Sequence, residues 1–461
     1  MIVLQRALGG RLARLRRATE RWIALAGTGL YQQLLAVWCG VFCAGLFVLP
    51  AGWQQAALFY AGVPLTLPAV VSVARPMIAS PMARVMGLFL AYSALSCLWS
   101  DRWLTVGDHT RRALCIGYFL AVCCAIGQDG AERWHRLLRG LQIAAAIAAM
   151  VLVVDYLWYC GKCERLVGFG SRANPNYTAH AAGAVALLGL TSLRSASWRV
   201  RLTVFACQVP IVLLLVLTGS RAALLGYLSA VALCVILTML RSRTSRAATV
   251  VAPAAMAASV AGLALAGGMA LQGRAWLAAE IGRGDTHRLQ IWTTNLARIA
   301  ERPWFGHGGT SADTFAIDGV VLGYHAHNLF LAQAFYGGIV GMLLWLSVFV
   351  LAALAAVRAW RRDGDVLPAV CLWFLFAVGM IDIGPVVVEF QAIWLYVWVI
   401  LGIVLSYDVR QRSGQRREPG AEAPRIDAAN GRALGTDPFE CGRQRLLPID
   451  ARRAWRSIAP L

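Results

Sequence analysis

Long apolar stretches recur along the 461-residue chain and restrict its possible folds more than any other feature. A helix needs about 20 mostly apolar residues to cross a membrane, because each residue advances it by only about 1.5 Å. About twelve segments meet or nearly meet this requirement. We place them near 30–50, 55–74, 82–99, 112–128, 137–158, 176–193, 202–218, 222–240, 248–271, 327–357, 366–383 and 388–406. The short gaps after 218 and 383 predict two tight helical hairpins.

Composition favours membrane helices over the other fold classes. The chain is 59% hydrophobic and 14% charged, whereas a soluble domain carries about 25% charged residues. Barrel strands alternate in polarity, but segments 211–217 and 342–357 are apolar on every side. Its 17 tryptophans, and 12 cysteines spread over a long chain without collagen-type repeats, exclude disordered, fibrous and small disulfide-rich proteins. We therefore expect an all-α, polytopic integral membrane protein.

The basic residues predict the orientation of the chain. The net charge of +20 would suggest nucleic-acid binding in a soluble protein, but in a membrane protein it marks the cytoplasmic loops. Segment 1–29 is arginine-rich and no signal-peptide core follows it, so we interpret it as a cytoplasmic lead-in on anionic lipid. Four clusters then share its side: Arg133, Arg136 and Arg139; Arg194, Arg199 and Arg201; Arg241, Arg243 and Arg246; Arg358, Arg361 and Arg362.

One long connection, 272–326, separates the ninth and tenth predicted spans on the outer side. Connections between packed helices are usually about 2–8 residues long, and longer ones tend to be functional. Its helical spacing predicts an amphipathic helix over 286–301, with an apolar stripe of Leu289, Trp292, Leu296 and Ile299. The chain therefore divides into a lead-in (1–29), nine spans (30–271), a large outer loop (272–326), three spans (327–406) and a disordered or loosely attached cytoplasmic tail (407–461).

Several charged residues on the outer side are candidates for chemistry. Arg221 lies in the turn Thr218-Gly219-Ser220-Arg221 between two apolar spans, where a cation is costly unless it meets an anion or water. Other outer arginines are expected to extend toward lipid headgroups: Arg111, Arg112, Arg165, Arg274, Arg283, Arg298 and Arg302. For Asp155 and Asp382, at the outer ends of spans, we favour an interfacial position over a hydrogen bond to a sugar.

Histidine is scarce, with seven in the chain, and three of them lie at the end of the large loop: His307, His325 and His327. His327 is placed at the mouth of the tenth span. A histidine at such a position is usually a satisfied interfacial residue. An imidazole can nevertheless accept a proton from a sugar hydroxyl, which a guanidinium cannot do.

Four motifs in order resemble the O-antigen ligase and polymerase superfamily. They are Gly219-Ser220-Arg221, Arg288 followed by Ile291-Trp292, the turn Pro303-Trp304-Phe305-Gly306-His307-Gly308, and His327-Asn328 followed by Gly338-Ile339-Val340-Gly341. Asn174-Pro175-Asn176 is also similar to an element of the family. The resemblance covers roughly 170–345 by motif and most of the chain by topology; the first five spans and the tail carry no matching motif.

The resemblance implies a C-type glycosyltransferase-like membrane enzyme acting at the periplasmic face of the bacterial inner membrane. Its donor would be a glycan on undecaprenyl pyrophosphate, and its acceptor a sugar hydroxyl of lipid A-core. Arg221 and Arg288 would hold the diphosphate, with Arg172 as a third candidate. His327 would be the base of an inverting displacement, with His325 in reserve, and His307 and Asn328 would orient the site.

No cofactor is expected. The large loop offers carboxylates but no Asp-x-Asp pair, and His325-x-His327 supplies only two of the three or four ligands that zinc requires. We therefore predict metal-independent transfer. Cys160 and Cys163, in an outer loop, are predicted to form a local disulfide, and the other cysteines to be inert.

Three other functions remain open. A polymerase extending the carrier-linked glycan and a protein O-oligosaccharyltransferase would use the same donor, although a single dominant loop favours a ligase. A transporter of lipid-linked glycan is a different class, but we find no inverted repeat and the polar residues concentrate on one side. The expected partners are the donor, the acceptor and membrane lipids, without nucleic acid, and the oligomeric state is open.

Overall fold

The computed structural model describes most of the chain between residues 28 and 415. The described ranges are 28–49, 52–128, 130–159, 165–168, 174–190, 197–241, 262, 287–317, 320–323 and 325–415. Met1–Ser413 form one compact unit, and of the second unit, Gly414–Leu461, only the first two residues are described. Arg172, the Cys160–Cys163 pair and all of the predicted ninth span except residue 262 lie outside these ranges. The nine cysteines within them form no disulfide.

Helices account for nearly all of the described chain. In order they are α1 Gly29–Val48, α2 Gly52–Ala79, α3 Pro81–Ser96, α4 Val106–Gly127, α5 Ala131–Tyr159, α6 Pro175–Leu190, α7 Trp198–Leu217, α8 Arg221–Arg241, α9 Arg288–Glu301, α10 Leu329–Asp363, α11 Leu367–Asp382 and α12 Val399–Gln415. Each predicted span except the ninth overlaps with one of these helices, although the last helix begins later than predicted. Within the described chain, eight helices are long and apolar enough to cross a membrane. The protein is thus a multi-pass helical membrane protein, and the total of about twelve spans stays a prediction.

The last span is the centre of the bundle. Its first turn is the π-helical segment Trp394–Trp398, and its side chains are buried on every side, as expected for a helix that is apolar all round. The predicted hairpin before it is wrong, because the chain from 383 to 392 is a buried non-helical connection. The indole Nε1 of Trp398 donates to the Val386 carbonyl at 2.9 Å and holds this connection against the helix.

The described part of the outer loop contains α9 and a short β-hairpin. Strand β1 (Phe315–Ile317) pairs antiparallel with β2 (Val320–Gly323), a local exception in a fold that is otherwise helical, as predicted. The amphipathic helix is confirmed, but its predicted stripe is not the buried face. Leu289 and Leu296 are exposed, whereas Ile291 and Asn295 pack inward. The polar Asn295 therefore takes a position that apolar periodicity could not identify.

Four helix ends lie together at one end of the bundle. Helix α10 starts there at Leu329 and leaves, and α11 returns to end at Asp382. The starts of α6 and α8 lie beside them, since α11 packs on both α6 and α8. Helix α10 bends at Gly338, whose φ of 61° lies in the left-handed region. His327 and Arg288, two of the predicted catalytic residues, lie together at this shared end.

Candidate active site

A histidine–aspartate pair forms the centre of the site. His327 lies just before α10, and its Nδ1 is 2.7 Å from Oδ1 of Asp382, the last residue of α11. The His327 backbone has a φ of 49°, a conformation that residues other than glycine seldom adopt. Asp382 is 2% exposed and the His327 side chain is 21% exposed. When Nδ1–H donates to the carboxylate, Nε2 carries the lone pair and is able to accept a proton.

Two other side chains, those of Arg288 and His180, also lie close to the Asp382 carboxylate. Arg288, the first residue of α9, places Nη2 3.3 Å from Asp382 Oδ1. His180 of α6 places Nε2 3.7 Å from Asp382 Oδ2, just beyond hydrogen-bond distance, and is fully buried. The carboxylate thereby links α6, α9, α11 and the start of α10. A buried carboxylate surrounded by such groups is stabilised in its ionised form.

Asp382 and His180 are the residues that sequence reasoning missed. Asp382 was expected at the membrane interface, but the structure buries it beneath His327. His180 was not considered, because it lies in an Ala-, Gly- and Leu-rich helix, beyond the Asn174-Pro175-Asn176 element at the start of that helix. The available signal was chemical rather than positional: each is an isolated polar group in an otherwise apolar span, and such groups are usually functional.

His325 supports His327 from the backbone side. Its Nδ1 accepts a hydrogen bond from the His327 amide at 3.1 Å, and the two rings are 4.0 Å apart. Gly384 packs against the ring so closely that a Cβ there would lie 2.7 Å from His325 Cγ. Burial, and secondarily the nearby His327, lower the pKa of His325 to about 3. His325 is therefore neutral at physiological pH and already uses Nδ1 as an acceptor.

We expect the low pKa of His325 to make the protein less stable in acid. The unfolded chain takes up a proton near the ordinary histidine pKa of 6.5, whereas folded His325 resists protonation down to about 3. The contribution of His325 to the free energy of unfolding is therefore fully present above pH 6.5. It decreases by at most about 1.4 kcal/mol per pH unit as the pH falls from 6.5 toward 3. His325→Asn keeps an acceptor but cannot titrate. Unfolding in lipid nanodiscs between pH 7 and 4 should show a weaker pH dependence in this variant; an unchanged slope would contradict the assignment.

Asn328 caps helix α10. Its Oδ1 accepts hydrogen bonds from the amides of Phe330 and Leu331, both at 3.0 Å, and its Nδ2 donates to the Met380 carbonyl at 3.0 Å. The side chain is 6% exposed. An N-cap of this kind satisfies amides that otherwise have no helical partner. Asn328 thus fixes the start of α10 to the end of α11, and so fixes the distance between His327 and Asp382.

The predicted turn at 303–308 docks on the bend of α10. The amides of His307 and Gly308 donate to the carbonyls of Phe335 and Tyr336 at 2.8 and 2.9 Å, and the Ile339 amide donates to Pro303 at 2.8 Å. A Cβ at Gly306 or Gly338 would collide with the facing backbone. The His307 ring stacks on Phe335 at 4.7 Å and its Nε2 contacts the Arg298 carbonyl at 2.8 Å. These contacts hold the loop on the bundle.

Arg221 is the first residue of α8, half-buried, directly after the turn at Gly219. A second arginine secures this turn: Arg165 donates from Nε to the Thr218 carbonyl at 2.7 Å and from Nη2 to Asn176 Oδ1 at 2.6 Å. Arg165 was expected to extend toward lipid headgroups, but it links the Gly-Ser-Arg turn to the Asn-Pro-Asn element at the start of α6.

The outer helix is tied to the histidine segment. The indole Nε1 of Trp292 donates to the Ala326 carbonyl at 2.9 Å, between His325 and His327. Arg288 lies one turn earlier on the same helix. Among the residues that the structure describes, no group of three or more His, Cys, Asp or Glu has an arrangement that could hold a metal ion. The arrangement is a proton acceptor beside an arginine, which suits displacement of an anionic leaving group by a hydroxyl.

Comparison with known proteins agrees with the motifs. Residues 206–346 match the family model described as O-antigen ligase, a segment that contains Arg221, Arg288 and His327 but neither His180 nor Asp382. An O-antigen ligase of Pseudomonas aeruginosa is 27% identical over a 436-residue alignment that covers 90% of this chain and 99% of that protein. The motif-based resemblance to O-antigen ligases is confirmed.

Proposed function

We propose that the protein transfers a glycan from undecaprenyl pyrophosphate to a sugar hydroxyl of lipid A-core at the periplasmic face of the inner membrane. It is an inverting glycosyltransferase that needs no metal. The observation that carries this proposal is the 2.7 Å contact between His327 Nδ1 and Asp382 Oδ1, because it leaves His327 Nε2 as a base for the acceptor. Similarity to O-antigen ligases supports the same reaction class.

The chemical step is a single displacement. The acceptor hydroxyl gives its proton to His327 Nε2 as its oxygen forms a bond to the anomeric carbon of the donor. The bond from that carbon to the diphosphate oxygen breaks, and undecaprenyl pyrophosphate leaves with the electron pair. Attack opposite the leaving group inverts the anomeric centre. The His327 imidazolium, stabilised by the Asp382 carboxylate, then returns its proton to water.

Arginines stabilise the leaving group. We assign Arg288 and Arg221 to the diphosphate, with Arg172 as a further candidate. A guanidinium holds phosphate oxygens through paired donors and remains charged at any relevant pH. The contact of Arg288 with Asp382 occupies one edge of its fork, so the other donors are available to an anion. Arg288 would thus join the leaving group to the base through one carboxylate.

His325, Asn328 and His307 have supporting roles in this scheme. His325 holds the His327 backbone, Asn328 fixes α10 against α11, and His307 anchors the loop that carries α9. Each of them contacts protein groups that fix the geometry of the site. We therefore propose His327 rather than His325 as the base, since the His325 Nδ1 is occupied by the His327 amide.

An in vitro transfer assay tests this function. Purified protein in lipid is incubated with undecaprenyl-pyrophosphate glycan and lipid A-core, with and without EDTA, and the products are resolved by mass spectrometry. We expect core-linked glycan at a rate that EDTA does not change. Longer carrier-linked glycan would identify a polymerase, and glycan on a protein acceptor an O-oligosaccharyltransferase. Movement of donor across vesicles without any new glycosidic bond would identify a transporter.

A further inference from the structure

A surface groove lies between α1 and α5, at the end of the bundle opposite the candidate active site. It has a volume of about 720 Å³, within the range of small-molecule sites. The contact of His135 with Asp365 shows at which end of the bundle α5 starts. The Nε2 of His135, in the first turns of α5, is 3.4 Å from Oδ2 of Asp365. Asp365 follows α10, and the 35 residues of that helix separate it from the His327 end. The groove is therefore remote from the proposed chemistry.

Small apolar residues line the groove further along both helices. Ala36, Gly40 and Ala44 follow one face of α1, and Gly140 and Ala144 face them from α5. A Cβ placed on Gly40 or Gly140 would meet no atom within 4 Å. The helices thus leave a cleft that the side chains of the described residues do not fill.

Polar and basic residues form the mouth of the groove. Arg133 donates from Nη1 to Gln32 Oε1 at 2.6 Å and so bridges the two helices, and Arg136 lines the groove one turn further along α5. Arg136 is exposed. Glu132 is also exposed near the start of α5, but among the described residues no ion pair joins it to Arg136. The charge at this mouth is complementary to an anion.

The distances along the helices match one leaflet of a bilayer. From Arg136 to Ala144 the helix advances by about 12 Å, close to the half-thickness of about 15 Å of the hydrocarbon core. A ligand with an anionic head at the mouth and a hydrocarbon chain in the cleft would satisfy both parts of the groove. The arginine-rich loops also predict that this end lies in the cytoplasmic leaflet, which is rich in anionic lipid.

We propose that this groove is a binding site for an anionic phospholipid, with its phosphate on Arg136 and Arg133 and an acyl chain between α1 and α5. The segment that precedes α1 is an unsuitable occupant because it is itself arginine-rich and would bring positive charge to a positive mouth. Bound lipid would fill the cleft between two helices that otherwise touch across small residues.

Native mass spectrometry of the full-length protein tests the site directly. Phosphatidylglycerol and phosphatidylethanolamine are titrated against wild type, Arg136→Gln, Gly140→Leu and Gly40→Leu. Arg362→Gln, at the same end of the bundle but outside the groove, is the matched control for charge. We expect preferential binding of phosphatidylglycerol, about fivefold weaker in Arg136→Gln, lost when either leucine fills the cleft, and unchanged in Arg362→Gln.

Three results would overturn the proposal. The first is equal binding of the two lipids by wild type, and the second is undiminished lipid binding in Gly40→Leu and in Gly140→Leu. The third is a dimer of the wild-type protein that the two leucine variants abolish. The last would identify the groove as an interface between two copies. Thermal unfolding verifies that each variant is folded. Because the readout is bound lipid rather than transferred glycan, failure of this proposal would leave the proposed function untouched, and the reverse also holds.

Discussion

Replacing His327 with alanine is expected to lower the rate of glycan transfer by about 10²- to 10⁴-fold, the usual contribution of a positioned general base. The acceptor hydroxyl would then have to attack without a group to take its proton. Donor binding should change little, because the arginines remain. Single-turnover transfer to lipid A-core measures the chemical step, and binding of carrier-linked glycan measures the donor affinity separately.

Two companion variants make this result specific to His327. Asp382→Asn keeps a group of the same shape beside Nδ1 but replaces a charge-assisted hydrogen bond with a neutral one, so we expect a loss of about tenfold. His325→Asn preserves the acceptor for the His327 amide and should retain most of the activity. If His325→Asn abolished transfer while His327→Ala retained it, the roles of the two histidines would be reversed.

The helices were predictable because their signal is local. A span of apolar residues has to become a helix in a membrane, where no water satisfies its backbone, and the boundaries of α5, α7, α8 and α11 agree with the predicted spans within several residues. The connection at 383–392 and the β-hairpin were not predictable in this way. Both are apolar segments too short for periodicity to distinguish a helix from an extended chain. The hydrogen bond from Trp398 to the Val386 carbonyl holds the first of them, the connection at 383–392, in its observed form.

Sequence motifs single out residues of the proposed site but do not assign a separate role to each of them. Sequence order identifies His327 and Arg288 as noteworthy, yet the carboxylate that joins them is 55 positions from one and further from the other. Only the antiparallel return of α11 brings Asp382 to His327. Motifs also group residues without separating their roles: Asn328 is a helix cap and His307 a loop anchor.

Replacing Arg288 with alanine is expected to lower kcat/KM for transfer by about 10²- to 10³-fold, the cost of removing one preorganised group that stabilises developing charge. If Arg288 holds the diphosphate mainly as the glycosidic bond breaks, kcat should fall more than donor affinity. Arg288→Lys should recover part of the loss, since an ammonium keeps the charge but not the paired donors. Arg302→Ala, an exposed arginine just beyond the same helix, is the matched control and should behave as wild type.

The contact between Arg288 and Asp382 offers a second explanation for a loss of activity in Arg288→Ala. A double variant distinguishes the two explanations. If the arginine served only to neutralise the carboxylate, removing both charges in Arg288→Ala/Asp382→Asn would restore activity toward the level of Asp382→Asn alone. Stabilisation of the leaving diphosphate predicts the opposite: the double variant is at least as impaired as Arg288→Ala, because the departing anion still lacks its cation. Restored transfer in the double variant would remove Arg288 from the leaving-group site and assign it a purely structural role beneath His327.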